Sequence, residues 1–504
     1  MVRKLGLKLQ IRGLGFKLGL VLAMGEVNAS NPDVGCEGLT KLGHKSLEES
    51  KVTWYIAGPA ILAATFLFSI GFITVAFVGR LGSTELAAVS MVQNVIEGFA
   101  FGVMLGLGSA LETLCGQAVG AGQFNMLGIY TQRSWIVSCI TAMVLSPLYV
   151  FTSPILKLFR QSDDISKMAG KYSIWVIPQL FAYAINFPLL KFFQSQSKIM
   201  VITVISGITL MVHALLCWVF VTKLNYGLAG AAAAGSISWW IINLAQIIYL
   251  ISGFFPEAWT GFSLLAFHSL FAFVKLSLAS AIMLCLDLWY YTIVILLVGH
   301  LHNPEVAVDA ISICMNFELW PVIVALGFNT AVSVRVSNEL GANQPKAARF
   351  SVVVNLTTSA VLGIFFMVTI IIARNDFPKL FTTDTKVIKE TSRLWALLSL
   401  TMLLNSIQPV LSGVAVGAGW QVMVAFISLG CYYLLGLPIG VLLGFKFNLG
   451  VKGFWLGMVV GSLLQTVILT LIIFRANWGR EASRADERIR TWGGMTGYRE
   501  GSGS

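Results

Sequence analysis

The sequence predicts an all-α membrane protein: twelve transmembrane helices arranged as two homologous six-helix bundles. Three observations carry that expectation. Hydrophobic residues make up 57% of the 504-residue chain and charged residues only 11%, against about 25% charged in an ordinary soluble domain. Twelve stretches are apolar all round and long enough to cross a bilayer, which takes about 20 residues of helix. Landmarks in the first half also recur, in the same order, about 221 residues later.

So few charges cannot cover a surface for water. That excludes a cytosolic enzyme, a nucleic-acid module, a disordered chain and a small disulfide scaffold. The net charge is +11, but 14 of the 34 Lys and Arg lie in the two tails, counting Arg475 at the end of the last span. Basic flanks beside lipid headgroups account for them without nucleic acid. None of the seven Cys forms a CxxC pair and six lie in apolar segments, so they read as small packing residues.

In chain order, residues 1–53 read as a cytosolic N-terminal tail. The start is basic, but Lys8, Arg12 and Lys17 interrupt the apolar run that a signal peptide requires. The first lobe, 54–252, holds spans at 54–78, 88–114, 132–152, 170–190, 199–222 and 227–252. An inter-lobe linker, 253–269, contains FFPEAWTG. The second lobe, 270–475, holds spans at 270–299, 307–333, 350–373, 391–413, 420–444 and 451–475. Residues 476–504 form a second tail ending in GYREGSGS. Short punctuators such as GRLGS (79–83), GAGQ (120–123) and GANQP (341–345) separate spans, and two longer charged connections occupy 153–169 and 374–390. A β-barrel would alternate apolar and polar residues along each strand; these stretches do not. Twelve is even, so both tails share one side. Loops on that side carry Arg133, Lys191, Lys198, Lys275, Arg335, Lys346 and Arg349, fewer cations than the opposite side. The tails reverse the balance and place that side in the cytosol.

The repeat is read from five pairs. VGRLGSTELA (78–87) answers VGHLHNPEVA (298–307), and GQAVGAGQ (116–123) answers SNELGANQ (337–344). Leu158-Phe159 answers Leu380-Phe381, Pro188 answers Pro409, and NYGLAG (225–230) answers NLGVKG (448–453). An even number of spans per repeat gives both halves the same orientation, a parallel repeat about the membrane normal. Two such halves can rock about a shared site.

An ionisable side chain mid-span costs about 2.5–3.5 kcal/mol on insertion scales, so it marks a functional position. Glu97, Glu112, Asp287 and Glu318 qualify. Glu97 and Glu318 are 221 residues apart and occupy matching places, which predicts two carboxylates facing a central space. A carboxylate drawn out of water can take up and release a proton near neutral pH. Asn405 and Gln408 can hydrogen-bond such a group, or act as polar glue between helices. Pro59, Pro188 and Pro409 interrupt spans and are candidate bend points, with static kinks as the simpler reading. Trp289, Tyr290 and Trp320, beside the acids, are candidate contacts to a flat solute; most other Trp and Tyr mark interfaces or fill packing. His213, alone mid-span, reads as a hydrogen-bonded packing residue. His300 and His302 flank a loop where they can sense pH. No P-loop, HExxH or nucleophile elbow occurs, so no ATP hydrolysis, cofactor, metal or enzymatic chemistry is expected.

FVGRLGSTELAAVS (77–90), GSALETLCGQAVGAGQ (108–123), ISICMNFELW (311–320), SVRVSNELGANQP (333–345) and NSIQPVLSGVAVGAGWQ (405–421) resemble plant members of the multidrug and toxic compound extrusion (MATE, detoxification) family. The resemblance spans about 50–475. It implies a V-shaped two-lobed transporter that exchanges organic solutes for protons. It also implies the branch tied to flavonoid-like solutes and the vacuolar membrane, with the plasma membrane as the alternative. Asp287 in CLDLWYY matches the family's proton-binding carboxylate, and Glu112 in ALETLCGQ falls in a motif tied to lobe packing or a gate contact. Arg80 stands where many members have His, Ser280 where a proline like Pro59 would repeat, and Asn405 where some plant members carry an acid. The reading is a monomeric proton-coupled antiporter of small organic solutes or anions; a chloride or organic-acid channel or uniporter is the alternative.

Overall fold

The computed structural model describes residues 36–492 apart from 160, 269, 302, 303 and 375. His302, most of the N-terminal tail and the last twelve residues therefore lie outside the described residues. Among the described residues the regular elements are all helical, and twelve helices are long and apolar enough to cross a membrane. Helices α1 to α6 are Cys36–Val78, Ser83–Gly120, Asn125–Val150, Asp163–Ser195, Ile199–Lys223 and Gly227–Ile251. Helices α7 to α12 are Leu270–Val298, Pro304–Gly341, Pro345–Ala373, Trp395–Ala418, Gln421–Lys446 and Val451–Arg475.

Each helix overlaps an expected span, and most extend past it at one end or both, because apolar length measures the bilayer and not the helix; the tenth begins at Trp395, four residues inside the expected 391–413. Helix α1 begins at Cys36, so residues 36–53 continue the first span instead of trailing from it. Residues 478–492 form a thirteenth helix, α13 (Trp478–Trp492). It buries Trp478, Ala482, Ala485 and Ile489, the three- and four-residue steps of one helical face. The charged connections are helical too: Thr152–Leu158 precedes α4, and Thr385–Arg393 precedes α10. Asp384 caps the latter by accepting the Lys386 N–H at 2.7 Å.

Packing divides the chain into two units. Of the described residues, one unit comprises Pro59–Cys285 with those from Arg484, and the other comprises those up to Gly58 with Leu286–Ser483. Both main divisions fall inside helices, at Gly58/Pro59 of α1 and Cys285/Leu286 of α7. We call the two units the N-terminal and C-terminal lobes. In the N-terminal lobe the linker is fastened to α3. Gln132 donates to the Gly261 carbonyl at 2.9 Å and accepts from the Ser263 N–H at 2.9 Å, while Arg133 donates to the Leu265 carbonyl at 3.1 Å. In the C-terminal lobe α11 and α12 pack glycine against glycine. Gly436, Gly440 and Gly444 face Gly453, Gly457 and Gly461; a Cβ on Gly457 would come within 2.5 Å of the Gly436 carbonyl. Small residues every fourth position let two membrane helices approach backbone to backbone.

Three cations counted as loop charges prove to lie within helices, Lys191 and Arg133 buried and Arg335 half-buried. Lys191 pairs with Glu112 at 2.6 Å, Arg335 pairs with Glu49 at 2.9 Å and Glu339 at 2.8 Å, and Arg133 packs over Tyr130. Such residues report on packing and not on sidedness.

Candidate functional site

In the C-terminal lobe, polar side chains from five helices converge around Asp287. α7 supplies Asp287 and Tyr291, α8 Glu318, α10 Asn405 and Gln408, α11 Ser428, and α12 Gln465. Tyr291 lies within the electrostatic reach of both Asp287 and Glu318, with the Asn405 side chain nearby. Asp287 lies beside the Ser428 side chain. Ser428 accepts from Gln465 Nε2 at 2.9 Å; Gln465 Oε1 accepts from Gln408 Nε2 at 3.2 Å; the same Gln408 amide reaches the Ser412 hydroxyl at 3.2 Å. Ser428 receives a bond from Gln465 and keeps its own proton. The donors thus run one way, from α10 through α12 to the α11 serine beside Asp287. The partners of Asp287 are neutral, and Asp287 Oδ1 and Glu318 Oε1 are buried with no hydrogen-bond partner. A carboxylate so placed holds a charge that a proton can cancel, and the energy at stake is several kcal/mol.

The N-terminal lobe holds its own cluster. Glu97 ends a π-helical segment of α2, Val92–Glu97, a widening of the helix that recurs at functional sites. Gln179 of α4 donates to Glu97 Oε2 at 3.2 Å and bonds the Tyr183 hydroxyl at 2.5 Å. Tyr183 packs edge-on to Trp239 at 4.7 Å, and Tyr172 lies within the electrostatic reach of Glu97. Deeper along the same helices, Glu112 and Lys191 form the buried ion pair described above, with Glu112 Oε1 left unpartnered.

Known proteins decide what such a molecule is. The family model MatE matches residues 59–219 and 279–442, one stretch in each lobe. Protein DETOXIFICATION 33 of Arabidopsis thaliana is 53% identical over 461 residues, covering 91% of this chain and 95% of that protein. Protein DETOXIFICATION 29 of the same plant is 53% identical, covering 88% and 89%. The chain belongs to the MATE family. Among solved structures, the eukaryotic MATE transporter AtDTX14 is similar with a TM-score of 0.84 at 35% identity, covering 88% of this chain and 99% of that one. The Vibrio cholerae MATE transporter VcmN, in its bent form, shares the fold with a TM-score of 0.75 at 18% identity, covering 89% and 99%. The protein is thus a multi-pass integral membrane protein of a transporter family whose members move small organic solutes, as the sequence motifs implied.

Within this MATE lobe plan, the expected site residues separate into groups. Asp287, Glu318, Asn405 and Gln408 come together in the C-terminal cluster. Glu97 heads the N-terminal one. Tyr290 is buried and stacks on Tyr432 at 4.7 Å, whereas Trp289 is 39% exposed and Trp320 63% exposed. The prolines are bound into the packing. Thr203 donates to the Pro59 carbonyl at 2.7 Å, Asn329 donates to the Pro409 carbonyl at 2.6 Å, and Pro188 is buried in α4. Ser428, Gln465, Tyr291 and Gln179 escaped the sequence reading. A serine or glutamine in an apolar span carries no charge to mark it; only its place on a helix face toward an acid singles it out.

Proposed function

We propose that this MATE transporter is a proton-coupled antiporter. It carries organic metabolites or xenobiotics, flavonoid-like solutes among them, across a plant membrane by alternating access. Its expected setting is the vacuolar membrane, its working unit a monomer, and its two homologous halves are the six-helix repeats 54–252 and 270–475. Asp287 takes up the proton, with Glu318 and Glu97 as further proton-binding carboxylates. Trp289 and Trp320, partly open beside the acids, offer flat surfaces to the solute. The observation that carries this reading is the donor chain that runs from Gln408 through Gln465 to Ser428, beside Asp287. When ionised, the carboxylate draws the Ser428 proton at the end of that chain. Once protonated it has a proton of its own to place, and the Ser428 hydroxyl must turn. Proton binding thereby changes what four helices hold in common. One pH unit supplies about 1.36 kcal/mol per proton and 100 mV about 2.3 kcal/mol per charge, enough for tenfold or greater accumulation.

The test is uptake into proteoliposomes of flavonoid glycosides, alkaloids, citrate and chloride, with and without a pH gradient. Gradient-dependent uptake of an organic solute is expected, falling at least tenfold in Asp287→Asn. Full proton-coupled uptake by Asp287→Asn removes that carboxylate from the mechanism. Chloride or citrate flux that follows its own potential, indifferent to the pH gradient, establishes a channel or uniporter instead.

A further inference from the structure

Within the N-terminal lobe, α1, α5 and α6 meet at a buried imidazole that the antiport cycle above does not use. His213 of α5 is fully buried. Its Nδ1 lies 2.9 Å from the Ser238 hydroxyl of α6 and its Nε2 3.1 Å from the Thr74 hydroxyl of α1, with the Cys217 sulfur 3.4 Å from Nε2. Each hydroxyl has a second partner on its own helix. Ser238 Oγ is 2.7 Å from the Ala234 carbonyl and Thr74 Oγ1 is 3.1 Å from the Ile70 carbonyl.

A hydroxyl owns one proton, and the count of protons decides the state of the ring. Ser238 spends its proton on the short bond to Ala234, so it accepts from the ring, and Nδ1 carries hydrogen. Thr74 is equidistant from its two partners. If its proton points to Nε2, the imidazole is neutral. If its proton points to the Ile70 carbonyl, Thr74 offers Nε2 a lone pair and can accept a second ring proton carried there. The thiol of Cys217 can follow the same choice, donating to Nε2 in the first state and accepting in the second. Both states satisfy every polar atom in the group. They differ by one proton on the ring and one rotation at Thr74.

We propose that His213 is a proton-binding site of this transporter and that Thr74 transmits its charge to α1. When the ring is charged, Thr74 bonds back to the carbonyl four residues earlier, a contact that bends helices. When the ring is neutral, that contact is released. The surroundings allow exchange. α1 contributes Thr74 and α6 contributes Ser238, neither ionisable; α5 itself contributes Cys217. From α4, Tyr172 lies within the electrostatic reach of Cys217 and of Glu97. Among the described residues no carboxylate pairs with the ring, so hydrogen bonds alone support the cation and the proton is not trapped.

The experiment is nitrogen-15 NMR of histidine-labelled full-length protein in liposomes, between pH 4.5 and 8.5. Replacing the other four histidines, His44, His268, His300 and His302, by glutamine leaves His213 as the one signal without touching it. The expected result is a ring with one N–H at high pH and two at low pH. Thr74→Val should lower the doubly protonated fraction at pH 5 at least threefold, and Thr74→Ser should restore it. A ring that keeps a single N–H over the whole range overturns the proposal; so does a titration indifferent to Thr74→Val. The titration is expected to persist in Asp287→Asn, so loss of transport there leaves this question open to its own answer.

Discussion

At Glu112 and Lys191 the N-terminal lobe buries a charge against a charge; 221 residues later the C-terminal lobe has Ser333 and Ser412. The reverse holds elsewhere. Asp287 of the C-terminal lobe has only neutral partners, and its counterpart region in α1 is apolar. At the α6/α12 pair, NYGLAG and NLGVKG align Ser238 with Gly461. Ser238 bonds His213, whereas Gly461 meets the ring of Tyr432. One ancestral plan thus supports two solutions. The N-terminal lobe neutralises its deep carboxylate internally and keeps a polar knot around an imidazole. The C-terminal lobe joins α11 and α12 by glycine contact and leaves a carboxylate unbalanced beside a hydrogen-bond chain. A balanced pair is suited to holding a lobe rigid, and an unbalanced group is suited to changing state.

The sharpest way to break this contrast is at the ion pair. Glu112→Ala leaves Lys191 buried and uncompensated, which should cost about 3–5 kcal/mol. Converting both positions to serine, the C-terminal lobe's own solution, should cost less than the single change, because no charge is stranded. Thermal unfolding of the two variants in nanodiscs checks the order. Equal losses would mean that the pair is worth its packing and not its charge.

Next in size is the glycine seam. Gly457→Val drives a branched side chain into the Gly436 carbonyl and Gly440 backbone, an overpacking that should cost about 1–3 kcal/mol. The same change at Ala234, which occupies the matching place in α6, should cost less, since α5 presents no glycine row opposite it. Paired unfolding measurements decide whether the seam is peculiar to the C-terminal lobe.

The spans, the repeat and the acids were legible in the sequence because each rests on a strong signal: hydropathy over a bilayer thickness, recurring motifs, and charge where charge is costly. Asp287, Glu318 and Asn405 could be named from the chain alone, and they do meet. The helical nature of 36–53 and of α13 was hidden because amphipathic helices beside a membrane look like tails by composition. Lys191 and Arg335 were read as loop cations because partners 79 and 286 residues away leave no local trace. The hydroxyls of Ser428 and Thr74 are silent for a further reason. Their importance lies in which way one hydrogen points, and that follows only from the distances to two acceptors at once.

Ser428→Ala tests the C-terminal chain. Removing the hydroxyl strands the Gln465 amide, a loss of about 1–3 kcal/mol for an unsatisfied buried group, and takes away the hydroxyl beside Asp287. Uptake at a fixed gradient should fall about tenfold and its pH profile should move. Ser428→Thr, which keeps the hydroxyl, should retain the wild-type profile. A change in rate without a change in pH profile would make Ser428 a packing residue.

The smallest and most informative change is Asn405→Asp. Asn405 shares Tyr291 with Asp287 and Glu318, so an acid there adds a proton-exchanging group to the same cluster without enlarging the side chain. If the C-terminal lobe couples transport through the charge it carries, the variant should bind one more proton per cycle. Accumulation at equilibrium should then rise by a further factor of about ten for each pH unit, the worth of one proton at about 1.36 kcal/mol. The measurement is the slope of log accumulation against the imposed gradient, which is insensitive to how fast the protein turns over. A steeper slope ties stoichiometry to the acids around Tyr291. An unchanged slope with intact uptake would show that carboxylates in this cluster are not counted by the cycle, and the contrast between the lobes would then concern packing alone.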